Sequence, residues 1–419
     1  MPKKKHLIGA GILAAGLLLT TACSNGGGDT GGGDTGGGDA PASNVPESVD
    51  LQGETVVSLF TSLNNDYYSS WNEGAERAVA AFNGNLVVMT NEGDPATQIS
   101  QFQQQVDAGV RIIFVTAPDP SSVGEMARIA NENDVCFVNT WESDPWDSPF
   151  NYGDNYTAYI TNHSVDAAYE TAVTLFEEMG GEGNFVHLTG HPGATPDYQR
   201  TLAVDRALEE YPGINLVDRQ PGEWNRDDSR NAMAGIINRH GTDIDGVFGQ
   251  NDDVGIGALN ALSEAGVTGV PITGMDGNQG TMELIEAGDI FGAYSSLPQW
   301  SAGFSFVQAL DACISGEAPS PLNRQLWSGG ILVTADNVQD YVDTYTGGSD
   351  PYDWVKMSRV ANPEDWDPQN AVSTIDMDQM WSWAEQPSGY ELPQAYADAV
   401  GDRATVDAEW DEHWKLLRR

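Results

Sequence analysis

Lysine is nearly missing from this chain. Of 419 residues only 19 are Lys or Arg, against 62 Asp or Glu, for a formal net charge of −43. Lys3, Lys4 and Lys5 open the sequence, and after them come only Lys356 and Lys415. So acidic a chain repels phosphate backbones and anionic lipid, which argues against nucleic-acid binding and against a basic membrane-docking face. Solubility in high salt is an alternative cause of the acidity. The lack of lysine also argues against a P-loop or a Schiff-base lysine, and no GxSxG elbow is present. Cysteine is scarce as well. Besides Cys23 there are Cys136 and Cys313, each inside an apolar run. They read as two buried thiols, with one disulfide in an oxidising compartment as the alternative. Long apolar runs are absent too, because the stretch from Leu7 to Leu19 is too short to span a bilayer comfortably.

That stretch has another meaning. MPKKKHLIGAGILAAGLLLTTAC carries lysines, an apolar run and small residues before Cys23, the pattern of an export signal over residues 1–22. The residues around Cys23 resemble a bacterial lipobox, with Thr20 where that box usually has leucine. The expectation is a lipidated Cys23; the plainer alternative is a cleaved signal in which Cys23 has no special role. The Gly/Asp repeat that follows cannot bury enough apolar surface to fold, so residues 23–52 read as a tether. A tract of about 30 residues gives a reach on the order of 30 Å. The folded part is then expected outside the cytoplasm, anchored to the cell membrane.

From Thr55 short apolar runs alternate with helical stripes: VVSLF, a helix from about 70, NLVVMT, a helix from about 95, VRIIFVTA, a helix from about 121, and VCFVNT. After an irregular stretch, WESDPWDSPFNYGDNYTAYI, the series restarts with SVDAAYETAVTLFEEM and runs through NFVHLTG, INLVDR, DGVFGQ, VPITGMD and IFGAYSS. Such alternation predicts an α/β protein of two doubly wound parallel-sheet lobes. Open α/β sheets bind ligands at the carboxyl ends of their strands, so the cleft between the lobes is the expected site.

Polar and aromatic residues recur at those ends. Asn65, Tyr67 and Tyr68 follow the first strand, Trp141 and Glu142 follow VCFVN, and Arg200 lies beyond NFVHLTG. Trp224, Asn251 and Asp276 complete the rim. Each has a plain structural explanation, such as a helix cap, a turn or a surface charge. Their recurrence at one edge of both lobes favours a shared site. Aromatic faces suit the C–H faces of a sugar, and Asp, Asn and Arg can serve neighbouring hydroxyls in pairs. His187 and His191 stand four apart, yet the first lies in a strand, so metal ligation is not favoured, and no cofactor is expected.

SLNNDYYSSWNEGA, GVFGQNDDVGIGALNAL and ITGMDG together resemble the ribose- and galactose-type sugar-binding proteins of bacterial ABC importers, over about 54–345. Their periplasmic-binding-protein type I fold is shared with LacI-type effector domains. The resemblance implies that Asn65, Tyr67, Tyr68, Arg200, Trp224, Asn251 and Asp276 contact a monosaccharide or polyol. Trp141 and Glu142 align with an Asp-Arg pair of the ribose pattern, and Ser296 stands where that pattern has glutamine, so the general role carries over better than the sugar. The resemblance also implies three crossovers, near 161, 297 and 329, acting as a hinge. They divide the chain into one lobe of 53–161 with 297–329 and another of 162–296 with 330–345. A membrane permease is the implied partner and a monomer the implied state. Residues 346–419 are an extension whose tryptophans predict docking on the lobes. The expectation is a binding protein and not an enzyme. A sugar sensor that docks to a receptor and, less favoured, a secreted carbohydrate-active enzyme are the alternatives.

Overall fold

The structure, a computed structural model, describes residues 45–382 and 384–418. The expected lipidation site and signal, like most of the expected tether, lie outside them. The tether ends earlier than residue 52. Val49 is fully buried, Leu51 nearly so, and Leu51 N donates to Phe82 O at 2.9 Å, so the folded body already includes this segment.

The first lobe is built from β1 (Thr55–Phe60), α1 (Asp66–Ala81), β2 (Asn85–Thr90), α2 (Pro95–Asp107), β3 (Ile112–Thr116), α3 (Val123–Glu132), β4 (Cys136–Thr140) and β5 (Tyr156–Asn162). The second holds α4 (Ser164–Glu178), β6 (Glu182–Thr189), α5 (Thr195–Glu210), β7 (Gly213–Pro221), α6 (Arg226–His240), β8 (Gly246–Gly249), α7 (Asp252–Glu264), β9 (Ile272–Asp276), α8 (Gln279–Ala287) and β10 (Gly292–Ser295). The chain then returns to the first lobe with α9 (Pro298–Ser315) and β11 (Gln325–Ser328). It crosses again to β12 (Ile331–Thr334) and α10 (Val338–Tyr341). Strand order is β2-β1-β3-β4-β5-β11 in one sheet and β7-β6-β8-β9-β10-β12 in the other. Among these strands all pairings are parallel except β12 with β10, and the order in each lobe reverses beside its first strand, which opens a crevice at the carboxyl ends.

Local chemistry explains where the helices begin. Asn65, Asp94, Asn225 and Asn251 each accept a hydrogen bond from a backbone N–H of the helix they precede. Such caps satisfy donors that no helical carbonyl can reach. α1 starts at Asp66, so both tyrosines lie in its first turn, while Trp71, Ala75 and Ala78 are fully buried. Gly74 is required for packing, since a Cβ there would lie 2.1 Å from Gln299 O.

Two expectations need correction. β5 lies at the end of the stretch read as irregular; its seven residues are all buried, so it shows no alternation to betray it. Cys136 and Cys313 are joined as a disulfide, with Cα atoms 5.6 Å apart, rather than left as two thiols. Residues 177 apart in sequence meet because α9 packs back across β3 and β4.

The extension docks through its aromatics. α11 (Trp354–Met357) lies on α9, and β13 (Val372–Thr374) pairs antiparallel with β11 at the edge of the first sheet. After it come α12 (Gln394–Ala399) and α13 (Arg403–His413). Trp354, Trp366 and Trp410 are buried, and Arg359 is sandwiched against the last two rings at 3.8 and 4.2 Å.

Candidate functional site

A cavity of about 230 Å³ opens between the carboxyl ends of the two sheets. Nine of the residues expected at the rim line it: Asn65, Tyr67, Tyr68, Trp141, Glu142, Arg200, Trp224, Asn251 and Asp276. Ser296 does not. β10 ends one residue before it and the chain turns there toward α9, so Ser296 is buried at a crossover, its N–H donating to Asp276 O at 3.1 Å. Sequence reasoning missed Thr61, Pro118, His191, Pro196 and Glu223 among the lining residues. His191 Nδ1 lies 2.6 Å from Glu223 Oε2 at the rim. Both stand just beyond strands of the second lobe, which is the signal that could have found them.

The aromatic wall is ordered by its own contacts. Tyr68 stacks on Phe60 with centroids 5.6 Å apart, and Tyr67 meets both Tyr68 and Trp141 edge-on. Trp141 Nε1 donates to Tyr67 OH at 2.6 Å. Arg200 lies 5.7 Å from the Trp141 ring centroid, so the wall continues into a cation. Trp141 has φ 70°, a backbone state that a bulky residue rarely adopts. We expect Trp141→Ala to weaken ligand binding at least about fivefold, about 1 kcal/mol of lost packing. Calorimetry reads this directly, and an unchanged affinity would make Trp141 a purely structural aromatic.

The polar side combines one buried cation with several buried acids. Arg200 Nη1 donates to Gln250 O, which fixes the side chain at the end of β8. Burial holds its pKa below the usual value, against the pull of Asp276. Asp276 is pushed well up, first by burial and then by the charge of Asp252. Asp252 is pushed up by burial and accepts from Gly277 N and Asn278 N at 3.0 and 2.8 Å. Three buried polar atoms of lining residues, Arg200 Nε, Trp224 Nε1 and Asp276 Oδ2, have no hydrogen-bond partner among the described residues. Buried polar groups are rarely left so, because each orphan costs about 1–3 kcal/mol.

The lobes also touch each other here. Glu142 Oε2 accepts from Thr195 N, the start of α5, at 2.8 Å, and Ser143 N donates to Thr195 Oγ1 at 3.2 Å. Asn65 Nδ2 donates to Trp224 O at 3.4 Å, and Arg226 pairs with both Asp66 and Asp253. Burial pushes the Glu142 carboxyl up to about 8, with the Thr195 N–H opposing. An acid whose folded pKa lies above its unfolded value keeps a proton that the unfolded chain has released. Its share of stability is then constant below the unfolded pKa of 4.5 and is lost as pH rises toward about 8. We expect Glu142→Gln to flatten that fall by at least about 1 kcal/mol in denaturant titrations run from pH 5 to 8. Parallel curves would mean that Glu142 is already ionised.

A periplasmic binding protein domain model matches residues 56–318. The xylitol-binding protein of Mycolicibacterium smegmatis is 31% identical over 257 residues, 60% of this chain and 70% of that protein. The ribose import binding protein of Salmonella typhimurium is 24% identical over 264 residues, 63% of this chain and 86% of that protein. Among solved structures, a twin-arginine translocation pathway signal protein from Burkholderia phytofirmans superposes with a TM-score of 0.68 and 28% identity, covering 72% of this chain and 95% of its own. A solute-binding protein from Bacillus halodurans with bound myo-inositol shares the fold at a TM-score of 0.62 and 20% identity, over 69% and 98% of the two chains.

Proposed function

Because the chain belongs to the periplasmic binding protein domain family, the sugar-binding components of ABC importers, we propose that it captures a monosaccharide, acyclic polyol or cyclitol between its lobes and presents it to a membrane permease. It is a binding protein, not an enzyme, and works outside the cytoplasm. The observation that carries the reading is an aromatic-walled cavity at the strand ends of both lobes whose lining also brings together Arg200, Asn251 and Asp276. A polyhydroxylated ligand accepts from Arg200 and donates to Asp276, while its C–H face lies against Tyr67, Tyr68 or Trp141. Xylitol, ribose and myo-inositol, named for the relatives above, all belong to that chemical class.

The lobes in this reading are 53–161 with 297–329 and 162–296 with 330–345, closing by rotation at the three crossovers, with contacts to both lobes stabilising the closed state. A thermal-shift screen against monosaccharides, polyols and cyclitols tests it. A ligand at 100 times its dissociation constant adds about 2.7 kcal/mol of stability. No stabilising compound across the three classes, or recovery of the bound compound chemically altered, would sink the proposal.

The anchor is a separate part of the same proposal: Cys23 carries lipid, and the Gly/Asp repeat after it lets a monomeric body sample the space above the membrane. Cys23→Ala should move the protein from the membrane fraction to the soluble extracytoplasmic fraction. Equal retention of the variant and the parent protein argues for another attachment.

A further inference from the structure

The chain passes between the lobes a fourth time, beyond the residues that the family model matches. It leaves the second lobe after α10 through a wide helical turn, Val342–Thr346, and runs exposed through Gly347, Gly348, Ser349 and Asp350. It then enters the first lobe at α11, where the Trp354 ring fills the space that a Cβ on Gly303 of α9 would take. The rings of Tyr341, Tyr345, Tyr352 and Trp354 follow one another at 5.0, 6.3 and 4.8 Å, a continuous aromatic path from one lobe to the other. Further along, Pro368 O accepts from Trp300 Nε1 at 2.6 Å, and β13 seals the edge of β11.

Both ends of this passage hold crossovers. In the third crossover, Gly329 N donates to Ala371 O at 2.8 Å, and Gly329 O accepts from Asn370 Nδ2 at 3.2 Å. Both backbone groups of that residue are therefore taken by the extension. Asn162 Nδ2, at the first crossover, reaches Ser328 O and Gly329 O at 3.2 and 3.4 Å, so the first and third are tied together. At the second, Tyr341 OH lies 2.7 Å from Ser295 Oγ, which also accepts from Leu297 N at 3.1 Å. Hinge bending needs φ/ψ changes at a few such residues. At the third crossover those changes must break hydrogen bonds to the extension.

We propose that residues 346–374 form a hinge strap: a fourth interlobe connection that clamps Gly329, limits how far the cleft opens and biases the free protein toward the closed arrangement. The limit is geometric. Residues 347–352 can span at most about 20 Å when fully extended, so their anchors on the two lobes cannot separate further. The bias comes from the bonds at Gly329 and from the aromatic path, which must slide or part on opening. The strap presupposes the hinge motion proposed above but not the identity of any ligand.

The test uses the full chain without ligand. A protease recognition sequence inserted between Gly348 and Ser349 lets the strap be cut after folding, while the buried Trp354, Trp366 and Trp410 keep the extension docked. Cutting should leave the two pieces co-eluting and should raise the radius of gyration in solution scattering. Independently, Asn370→Ala should speed amide exchange at Gly329 by about tenfold, since it removes a hydrogen bond that braces the crossover. An unchanged scattering profile after cutting, or Gly329 exchange equal to that of the parent protein, overturns the proposal. Neither readout involves a ligand, so an empty ligand screen and a slack strap are separate failures.

Discussion

Replacing Arg200 with methionine should weaken binding of the best ligand from the screen by about a hundredfold or more, equivalent to about 2.7 kcal/mol. Hydrogen bonds from a charged donor are worth about 1.5–3 kcal/mol each. Arg200 brings a guanidinium to a lining that carries Glu142 and Asp276. Without the cation both acids line the cavity with no positive charge among the residues that the structure buries there. Methionine keeps most of the packing against Trp141, so the loss is chemical rather than a cavity. Folding stability should change much less, because removing the guanidinium also removes its cost of burial. Calorimetry and a denaturant titration on the same variant separate the two effects. Affinity within threefold of the parent protein would reduce Arg200 to a brace for the Gln250 carbonyl.

The second large effect concerns stability. Removing the Cys136–Cys313 bond by the double substitution Cys136→Ala and Cys313→Ala should cost between about 2 and 5 kcal/mol, measured by denaturant unfolding. The bond closes a loop with a sequence separation of 177, long enough for the loop-entropy account to favour the upper part of that range. It also ties the end of α9 to the start of β4, so the helix that returns from the second lobe is fixed to the first. The oxidising side of a membrane is where such a bond persists. Equal midpoints for the oxidised parent and the double variant would mean that α9 is held by packing alone, through contacts such as Phe82 with Phe306.

Ligand affinity should barely respond to the double substitution, since neither cysteine lines the cavity. The two predictions therefore test independent parts of the molecule, the cleft and its scaffold.

The amino-acid sequence alone determined the strand and helix series from β1 to β10, β5 apart, because those elements carry their signal locally: apolar runs for buried parallel strands and stripes for helices. It also determined the cleft edge at which Asn65, Tyr67, Trp141, Arg200 and Asp276 gather, since strand ends on an open sheet share one side. What only the tertiary structure decided depends on residues distant in the chain. β5 has no alternating pattern, being buried along its whole length, and is recognised only by pairing between β4 and β11. The Cys136–Cys313 bond rests on the return of α9, which no local pattern encodes. Glu142 reads as a ligand contact from its position, yet its Oε2 is engaged by Thr195 N of the other lobe. The extension's tryptophans announced docking, but not that its path would close on Gly329. Periodicity and capping are short-range and survive in the order of residues. Pairing across lobes is set by which buried surfaces and unpaired groups meet once the chain has folded back on itself.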